Sequence, residues 1–212
     1  MGKNIAIMII GLKRDYDQSK EKMEKNLLSP LIETCENVDV FISSDQNIDV
    51  KNKRGDLIEN ENILKINMQI QRLHRLYYKI IKPYQEKNNI QYDYFIKIRP
   101  DFTFNENCIP PVPLWGSTKI SCRMRVYPIK ITQPYRTHFF DIGQEIIDDQ
   151  FFIIPKYLKE YAFKVDYGNY PQKINFDYPE AIQTRLWNSY NIEYELIYVD
   201  GVLNKWLQYR IT

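Results

Sequence analysis

The segment YDYFIKIRPD, residues Tyr92–Asp101, decides the fold. It is a β-branched and aromatic run that ends on a carboxylate just beyond a proline, which is typical of a buried strand carrying charge to its carboxyl end. Side chains alternate along a strand, so Lys97, Arg99 and Asp101 are predicted to share one face if the pleat continues through Pro100. Two cations and one anion at a strand end suit a phosphate-bearing, metal-associated ligand. The alternative is a structural ion pair at the end of an edge strand.

Two earlier segments repeat the pattern of an apolar strand followed by a polar loop. The run Ile5–Ile10 is continuously apolar, as in a central strand covered on both faces, and Gly11 follows it. Gly11 allows a ligand to approach the backbone closely, and Arg14 offers a planar fork for phosphate, although a glycine turn with a surface arginine is an equally ordinary explanation. The second strand, Val38–Ile42, ends in Ser43-Ser44-Asp45, whose alternative reading is a turn in which Asp45 bonds its own backbone.

Two amphipathic helices are predicted between these strands. Ser19 is expected to cap the first, whose apolar positions recur from Met23 to Cys35. The second covers the range from Met68 to Tyr84, after a short strand at 63–66, and leads into the Tyr92–Asp101 strand. Its polar side carries Arg72 and Arg75, which would border the same crevice as Arg99 and Asp101. The alternative is a solvated helix face.

The second half of the chain offers candidate acids. Asp148 and Asp149 come directly before an apolar strand, Phe151–Ile154, so paired carboxylates are predicted at the start of that strand. A helix is predicted from Asp177 onward with Glu180 in its first turn, where the helix dipole alone favours an acid. Glu180 therefore has a structural explanation that the Asp148 and Asp149 pair lacks.

These patterns predict one α/β domain over residues 1–212, with a mixed, mostly parallel, Rossmann-like sheet flanked by helices. The carboxyl-terminal residues 204–212 show no obvious helix cap, so we expect a domain cut from a longer polypeptide. Three widely spaced cysteines without a CxxC pair argue against a zinc site and favour a reducing, cytoplasmic location.

The charge balance limits the classes of binding partner that the sequence predicts. Lysine and arginine total 29 against 27 acidic residues, a formal net charge of +2, which provides no broad field for nucleic acid. No segment approaches the length of apolar residues that spans a bilayer. We therefore expect neither a nucleic-acid partner nor a membrane span.

The order of these motifs resembles a group of viral and bacterial GT-A-fold glycosyltransferases, including those with which chlorella viruses glycosylate their own capsids. The resemblance covers most of the chain and rests on the apolar strand into Gly11-Leu12-Lys13-Arg14, the strand Asp39–Ile42, the segment Tyr92–Asp101, the run Asp148–Phe151 and Tyr178-Pro179-Glu180. It implies a nucleotide-binding part at about 1–105 and an acceptor-side part at about 106–212. If the chain is viral, it would act in the host cytoplasm.

The resemblance implies transfer of a hexosyl or deoxyhexosyl group from a nucleotide sugar, with a UDP-sugar as the expected donor, to a glycan or glycoprotein acceptor. It also implies a divalent cation, Mn²⁺ or Mg²⁺, held by an Asp-x-Asp motif. The matching place reads Arg99-Pro100-Asp101, so the first acid is missing and Asp101 is the implied metal ligand.

The implied donor site contains Gly11, Arg14, Arg72, Arg75, Lys97 and Arg99. Asp149, with Asp148 and Glu180 behind it, is the implied acid that acts on the sugar or the acceptor. Because the first acid of the motif is missing, a non-catalytic nucleotide- or glycan-binding module with a GT-A-like fold is the alternative.

Overall fold

Within the part of the chain that the structure describes, seven strands pair into one sheet, whose centre is formed by the apolar runs. The structure is a computed structural model. It describes residues 2–13, 16–59, 69–102, 118–126, 145–164, 187, 190–196, 198–199 and 202–203. For residues 69–70, 123–126, 145–150 and those from 194 onward, only the backbone belongs to the described part.

The strands are β1 (Asn4–Ile10), β2 (Asn37–Ser44), β3 (Lys53–Ile58), β4 (Tyr94–Ile98), β5 (Ile120–Val126), β6 (Glu145–Pro155) and β7 (Tyr194–Leu196), and they lie in the order β3-β2-β1-β4-β6-β5-β7. Two further short strands, β8 (Tyr198–Val199) and β9 (Val202–Leu203), pair with each other. Strands β3, β2, β1 and β4 are mutually parallel, whereas β6 is antiparallel to both β4 and β5. The predicted α/β class and mixed sheet are confirmed, but the sheet is only partly parallel because β6 runs against its neighbours.

The helices are α1 (Tyr16–Met23), α2 (Ser29–Thr34), α3 (Gln69–Leu76), α4 (Lys82–Asn88) and α5 (Lys159–Ala162). A π-helical turn, Glu24–Leu28, joins α1 to α2, and a second one, Tyr77–Ile81, joins α3 to α4. In both cases a proline, Pro30 or Pro83, lies in the first turn after the π turn. Proline removes one helical hydrogen bond and crowds the carbonyl four residues earlier, and a π turn relieves that crowding. Each long helix therefore continues past its proline.

The sheet is covered on both faces, which explains why its central strands are apolar throughout. Every side chain from Ile5 to Ile10 is fully buried. Alternate residues of β1 and β4 join two separate core clusters, one with the α1–α2 helix around Met23 and Leu27, the other with the α3–α4 helix around Leu73 and Tyr77. The first helical segment therefore packs on one face and the second on the other.

Several local predictions need correction. Ser19 does not cap the first helix, because α1 already begins at Tyr16 and the Ser19 hydroxyl lies inside it, within hydrogen-bond distance of the Tyr16 carbonyl oxygen. Strand β4 ends at Ile98, so the alternation that predicted one shared face for Lys97, Arg99 and Asp101 stops before Arg99. Strand β6 begins at Glu145, six residues before the predicted start at Phe151. The predicted strand at 63–66 lies outside the described residues.

Among the described residues, no helix combines the length and hydrophobicity needed to cross a bilayer.

Candidate functional site

The carboxyl ends of β1, β2 and β4 meet at one edge of the sheet, which we call the carboxyl edge. It consists of Gly11, Ser43–Asp45 and the turn Arg99–Phe102. The chain passes from β1 to β2 and β3 on one side, then returns to place β4 on the other side of β1. Such a reversal of strand order opens a crevice in α/β sheets, and ligands bind there. In this sheet the strand order reverses at β1, so the expected position of such a crevice is beside Gly11 and the turn that follows β4.

Gly11 is held against that turn by close packing. Its φ is +152°, and a Cβ atom at this position would lie 2.7 Å from Cδ of Pro100. The Gly11 backbone N–H donates to the Ser43 carbonyl oxygen at 3.0 Å, which continues the pairing of β1 with β2. Only glycine meets both the conformation and the spacing, so the absence of a side chain brings two strand ends into contact.

Asp45 ties the end of β2 to the loop after β1. Its Oδ1 accepts a hydrogen bond from the Lys13 backbone N–H at 2.8 Å and another from the Ser44 hydroxyl at 3.1 Å. The alternative reading, in which Asp45 bonds its own backbone, does not describe this bond to Lys13, which spans 32 residues of sequence. Arg14, the cation predicted in the same loop, lies outside the described residues.

Arg99 and Asp101 form a two-point ion pair within one tight turn. Arg99 Nε donates to Asp101 Oδ1 at 2.9 Å, and Nη2 donates to Oδ2 at 2.8 Å. The turn is closed by the Phe102 N–H, which donates to the Arg99 carbonyl oxygen at 3.2 Å, with Pro100 at the position that proline favours. Asp101 is 2% exposed. Two members of the predicted charge cluster, the partly exposed Arg99 and the buried Asp101, therefore form a planar Arg–carboxylate fork, and Lys97 is not part of it.

Ser19 supports this turn from α1. Its hydroxyl lies 2.5 Å from the Pro100 carbonyl oxygen and is buried. Sequence reasoning assigned Ser19 to a helix cap and did not connect it with Pro100, because 81 residues separate the two. No local sequence signal identifies such a contact.

Lys97 lies deeper in the sheet than the fork. It is buried in β4 opposite Met8 and Phe152, and its Nζ lies 5.2 Å from the centre of the Phe152 ring. An ammonium over an aromatic face gains a cation–π interaction, which offsets part of the cost of burial. This geometry places Lys97 below the carboxyl edge, on the face that carries the α3–α4 helix.

Arg72 and Arg75 both lie on α3, as predicted. Arg72 is buried, and Arg75 forms an ion pair with Glu59 just beyond β3. The Glu59 N–H donates to the Ser44 carbonyl oxygen at 2.9 Å, which keeps this acid beside the end of β2. Arg75 is therefore attached to the outer, β3 side of the carboxyl edge, away from the β1–β4 crevice.

The predicted acids of the second half are only partly within the described structure. The pairing of β4 with β6 ends at Ile98 opposite Phe151, so the earlier part of β6 continues past the carboxyl end of β4. Its pairing with β5 shifts register there, because Cys122 lies opposite Phe152 whereas Met124 lies opposite Ile147. This irregularity places the backbone of residues 148 and 149 inside β6, not in front of it as predicted. Bulges of this kind often adjoin active sites.

Glu180, the remaining candidate acid, lies outside the described residues. The structure thus brings Gly11, Arg99 and Asp101 together, and it brings the backbone of Asp148 and Asp149 to the same end of β4.

The fork offers the kind of ligand atom that a hard cation prefers. A carboxylate oxygen is what Mg²⁺ or Mn²⁺ prefers, and Asp101 supplies two of them beside the crevice. Both are engaged by Arg99, so a cation would need the guanidinium to turn away. The described residues contain no cluster of three or more histidine, cysteine or acidic side chains arranged for a metal.

An open cleft of about 280 Å³ lies elsewhere, where the end of α4 approaches α5. Its lining includes Lys82, Glu86, Ile90 and Glu160. Because Ile90 precedes β4, this cleft lies towards the amino end of the sheet. It does not contain the residues that converge at the carboxyl edge.

The chain matches no family model and no curated protein.

Proposed function

We propose that this chain is a glycosyltransferase of GT-A-like fold that moves a hexosyl or deoxyhexosyl group from a UDP-sugar to a glycan acceptor. The observation that carries the proposal is the reversal of strand order at β1, where Gly11 packs against Pro100 and Arg99 and Asp101 form a fork in the turn after β4. A strand-order reversal with a glycine and a partly exposed guanidinium beside it suits a nucleotide diphosphate. The resemblance to viral glycosyltransferases supports capsid glycoprotein glycosylation in the host cytoplasm as the setting.

Each residue of the crevice has a chemical role in this proposal. Gly11 lets the turn after β4 pack directly against the end of β1, which positions Arg99, and Arg99 provides a planar fork that matches phosphate oxygens. Asp101 would hold Mn²⁺ or Mg²⁺, which when bound neutralises the charge that develops on the leaving diphosphate. Arg14 and Arg72 are the further cations of the proposed donor site, whereas Arg75 pairs with Glu59 on the β3 side and Lys97 lies over the Phe152 ring below the carboxyl edge.

The acid that acts on the sugar or the acceptor is Asp149 in this proposal, with Asp148 and Glu180 as the other candidates. The backbone of β6 supports the choice, since its register shift with β5 includes residue 149 and lies beyond the end of β4. A group fixed on a strand is positioned more accurately than one on a loop, as proton transfer requires.

One observation favours the alternative, a nucleotide- or glycan-binding module without catalysis. Arg99 occupies both oxygens of the single acid that matches the metal motif. A chain that kept the shape of the fold but lost the chemistry would be expected to pair this acid internally.

Release of UDP separates the two functions. Incubation of the chain with UDP-hexoses and a UDP-deoxyhexose in the presence of Mn²⁺ should release UDP, by hydrolysis or by transfer to an added glycan. Asp149→Ala should lower kcat by a factor on the order of 10² or more, the scale of a general acid–base residue, and leave UDP affinity unchanged.

The matched comparison is Glu180→Gln. If Asp149→Ala turns over normally and Glu180→Gln is inactive, the two acids exchange roles. If UDP binds but no UDP-sugar is turned over, the chain is a binding module.

A further inference from the structure

The cleft between the end of α4 and α5 contains a buried phenol. Tyr77 lines this cleft and is 1% exposed. Its ring stacks on Phe163, with the two ring centres 4.4 Å apart, and this stacking fixes the orientation of the side chain. No described residue forms a hydrogen bond with the Tyr77 hydroxyl. Buried hydroxyls normally have a partner, because burial without one costs free energy, so this phenol is available to a molecule in the cleft.

The charged side chains around the cleft balance one another. Lys82 and Lys159 contribute ammonium groups to the described lining, and Glu86 and Glu160 contribute carboxylates. Burial raises the pKa of the Tyr77 phenol most, and the two carboxylates raise it further, so the phenol stays protonated and able to donate. The equal numbers of cations and anions favour a neutral ligand over an ion.

Amide side chains complete the polar part of the lining. Gln85, Asn89 and Gln91 all line the cleft. Gln85 is buried, and the hydrogen bond that its side chain forms within the described structure is long, from Nε2 to the Ile90 carbonyl oxygen at 3.5 Å. An amide has two donor hydrogens and an acceptor oxygen, so Gln85 keeps most of its hydrogen-bonding capacity. The cleft therefore offers donors and acceptors side by side.

Aromatic rings lie near the same cleft. Three large hydrophobic side chains are exposed in the part of the chain that the structure describes, and two of them are Tyr157 and Tyr161. These two tyrosines belong to the same short segment as Lys159 and Glu160, which line the cleft. An exposed aromatic ring provides an apolar face with a polar edge, and the faces of sugar rings pack on such surfaces.

We propose that this cleft binds a neutral sugar, as a single residue or a short oligosaccharide. Sugar hydroxyls both donate and accept, so a sugar can accept from Tyr77 and donate to Glu86 or Glu160 without bringing a charge into the cleft. The volume of about 280 Å³ lies near the lower end of small-molecule sites, which suits a single sugar ring or a disaccharide. The site goes beyond the proposed glycosyl transfer, because it lies at the amino end of the sheet and needs neither UDP nor a metal.

The test measures the binding of sugars to the full chain. The probes are the methyl glycosides of neutral hexoses and deoxyhexoses, together with maltose, cellobiose and lactose. Saturation-transfer difference nuclear magnetic resonance detects weak binding and, by titration, gives an affinity. At least one of these sugars should bind, with the same affinity in the presence and absence of UDP and Mn²⁺. Asp101→Asn should leave this affinity unchanged.

Tyr77→Phe is the most specific variant, because it removes the hydroxyl and keeps the ring that stacks on Phe163. It should weaken sugar binding about 5-fold, the scale of one lost hydrogen bond. Its thermal stability should be unchanged or higher, since the hydroxyl has no partner among the described residues. Glu86→Ala changes an exposed residue of the rim and should also weaken sugar binding.

Tyr16→Phe is the matched control. Tyr16 is also 1% exposed, but it packs on the other face of the sheet, and its hydroxyl donates to the Asp49 carbonyl oxygen at 3.1 Å. This variant should therefore lose stability and keep its affinity for the sugar, the opposite of the pattern expected for Tyr77→Phe. A phenol with a purely structural role at position 77 would behave like Tyr16.

The outcomes also separate this site from the proposed function. If no sugar of the panel binds, or if a sugar binds equally well to Glu86→Ala or to folded Tyr77→Phe, the inference is wrong. If Tyr77→Phe does not fold, Glu86→Ala decides. Sugar binding that depends on these two residues in a chain that does not bind UDP would support the cleft and contradict the proposed function. Turnover of a UDP-sugar without sugar binding at the cleft would do the reverse.

Discussion

Two arginine–aspartate pairs, each with a buried aspartate, lie at opposite ends of the same sheet, and they are built differently. At the amino end, Asp39 of β2 accepts hydrogen bonds from Arg54 Nε at 2.6 Å and from the Tyr92 hydroxyl at 2.6 Å. At the carboxyl end, Arg99 and Asp101 bond each other within one turn. The first pair, with Tyr92, joins β2, β3 and the segment that precedes β4. The second joins two residues of the same turn.

The difference in partners indicates that the amino-end pair links neighbouring strands, whereas the carboxyl-end pair links two residues of one turn. Asp39 also accepts from the Asn37 amide at 3.1 Å, so its carboxylate is surrounded by donors. Burial raises the pKa of Tyr92 far above its usual value, and the hydrogen bond to Asp39 raises it further. The hydrogen bond from Arg54 to Asp39 raises the pKa of Arg54. Tyr92 and Arg54 therefore stay protonated at physiological pH and continue to donate to Asp39.

The largest expected effect is the loss of the amino-end pair. Asp39→Ala removes the common acceptor of three donors and should lower the free energy of unfolding by about 3–5 kcal/mol. Asp101→Ala should cost less, about 1–3 kcal/mol, because the two hydrogen bonds it removes come from one residue of a turn that can relax. Urea unfolding followed by tryptophan and tyrosine fluorescence measures both. An equal or larger loss for Asp101→Ala would remove the distinction between the two pairs.

A smaller effect is expected where β1 meets the turn after β4. Gly11→Ala would place a Cβ atom 2.7 Å from Pro100 at a φ of +152°, so it should cost about 1–3 kcal/mol, the usual range for overpacking, and should also weaken UDP binding. Gly55→Ala is the matched control. Its Cβ would lie 2.6 Å from Cγ2 of Ile80, far from the turn after β4, so this variant should also lose stability but keep UDP affinity. Equal losses of UDP affinity in the two variants would show that the contact of Gly11 with Pro100 has no specific role in binding.

The smallest effect concerns a second carboxylate at the amino end, Asp93. Burial raises its pKa, but the Asn4 backbone N–H and the Lys156 ammonium outweigh burial and leave the pKa below the usual value. Because the folded-state pKa is the lower one, the stabilisation is present at neutral pH and is lost as the pH falls below about 4. Asp93→Asn should therefore reduce stability by about 0.5–1 kcal/mol at pH 7 and by almost nothing near pH 3. A difference that stayed constant with pH would exclude charge as its cause.

The centre of the fold could be predicted from the sequence because local patterns of apolar residues mark its strands and helices. A continuous apolar run such as Ile5–Ile10 is favourable only in a strand covered on both faces, and the structure has it there. The helical segment over Gln69–Asn88 could also be predicted, because its apolar residues recur at helical spacing and face the sheet. The glycine and proline at the strand ends also marked real turns.

The rest depends on contacts between distant residues or on pairing with neighbours. Asp39 and Tyr92 are 53 residues apart, and no local pattern links them. Strand β6 was predicted too short because Glu145, Asp148 and Asp149 interrupt its apolar run, yet its neighbours draw this polar stretch into the sheet. Ser19 was assigned to a cap by residue type, although its hydroxyl reaches the turn after β4.

The most direct test of the account compares the two aspartates as ligand-site residues. Calorimetric titration of UDP in the presence of Mn²⁺ should give binding to the wild type and to folded Asp39→Asn with similar affinity. Asp101→Asn keeps the shape of the turn but removes the charge that a hard cation prefers, so it should abolish Mn²⁺-dependent UDP binding. Unchanged UDP affinity in Asp101→Asn would contradict the assignment of the donor site to the carboxyl edge.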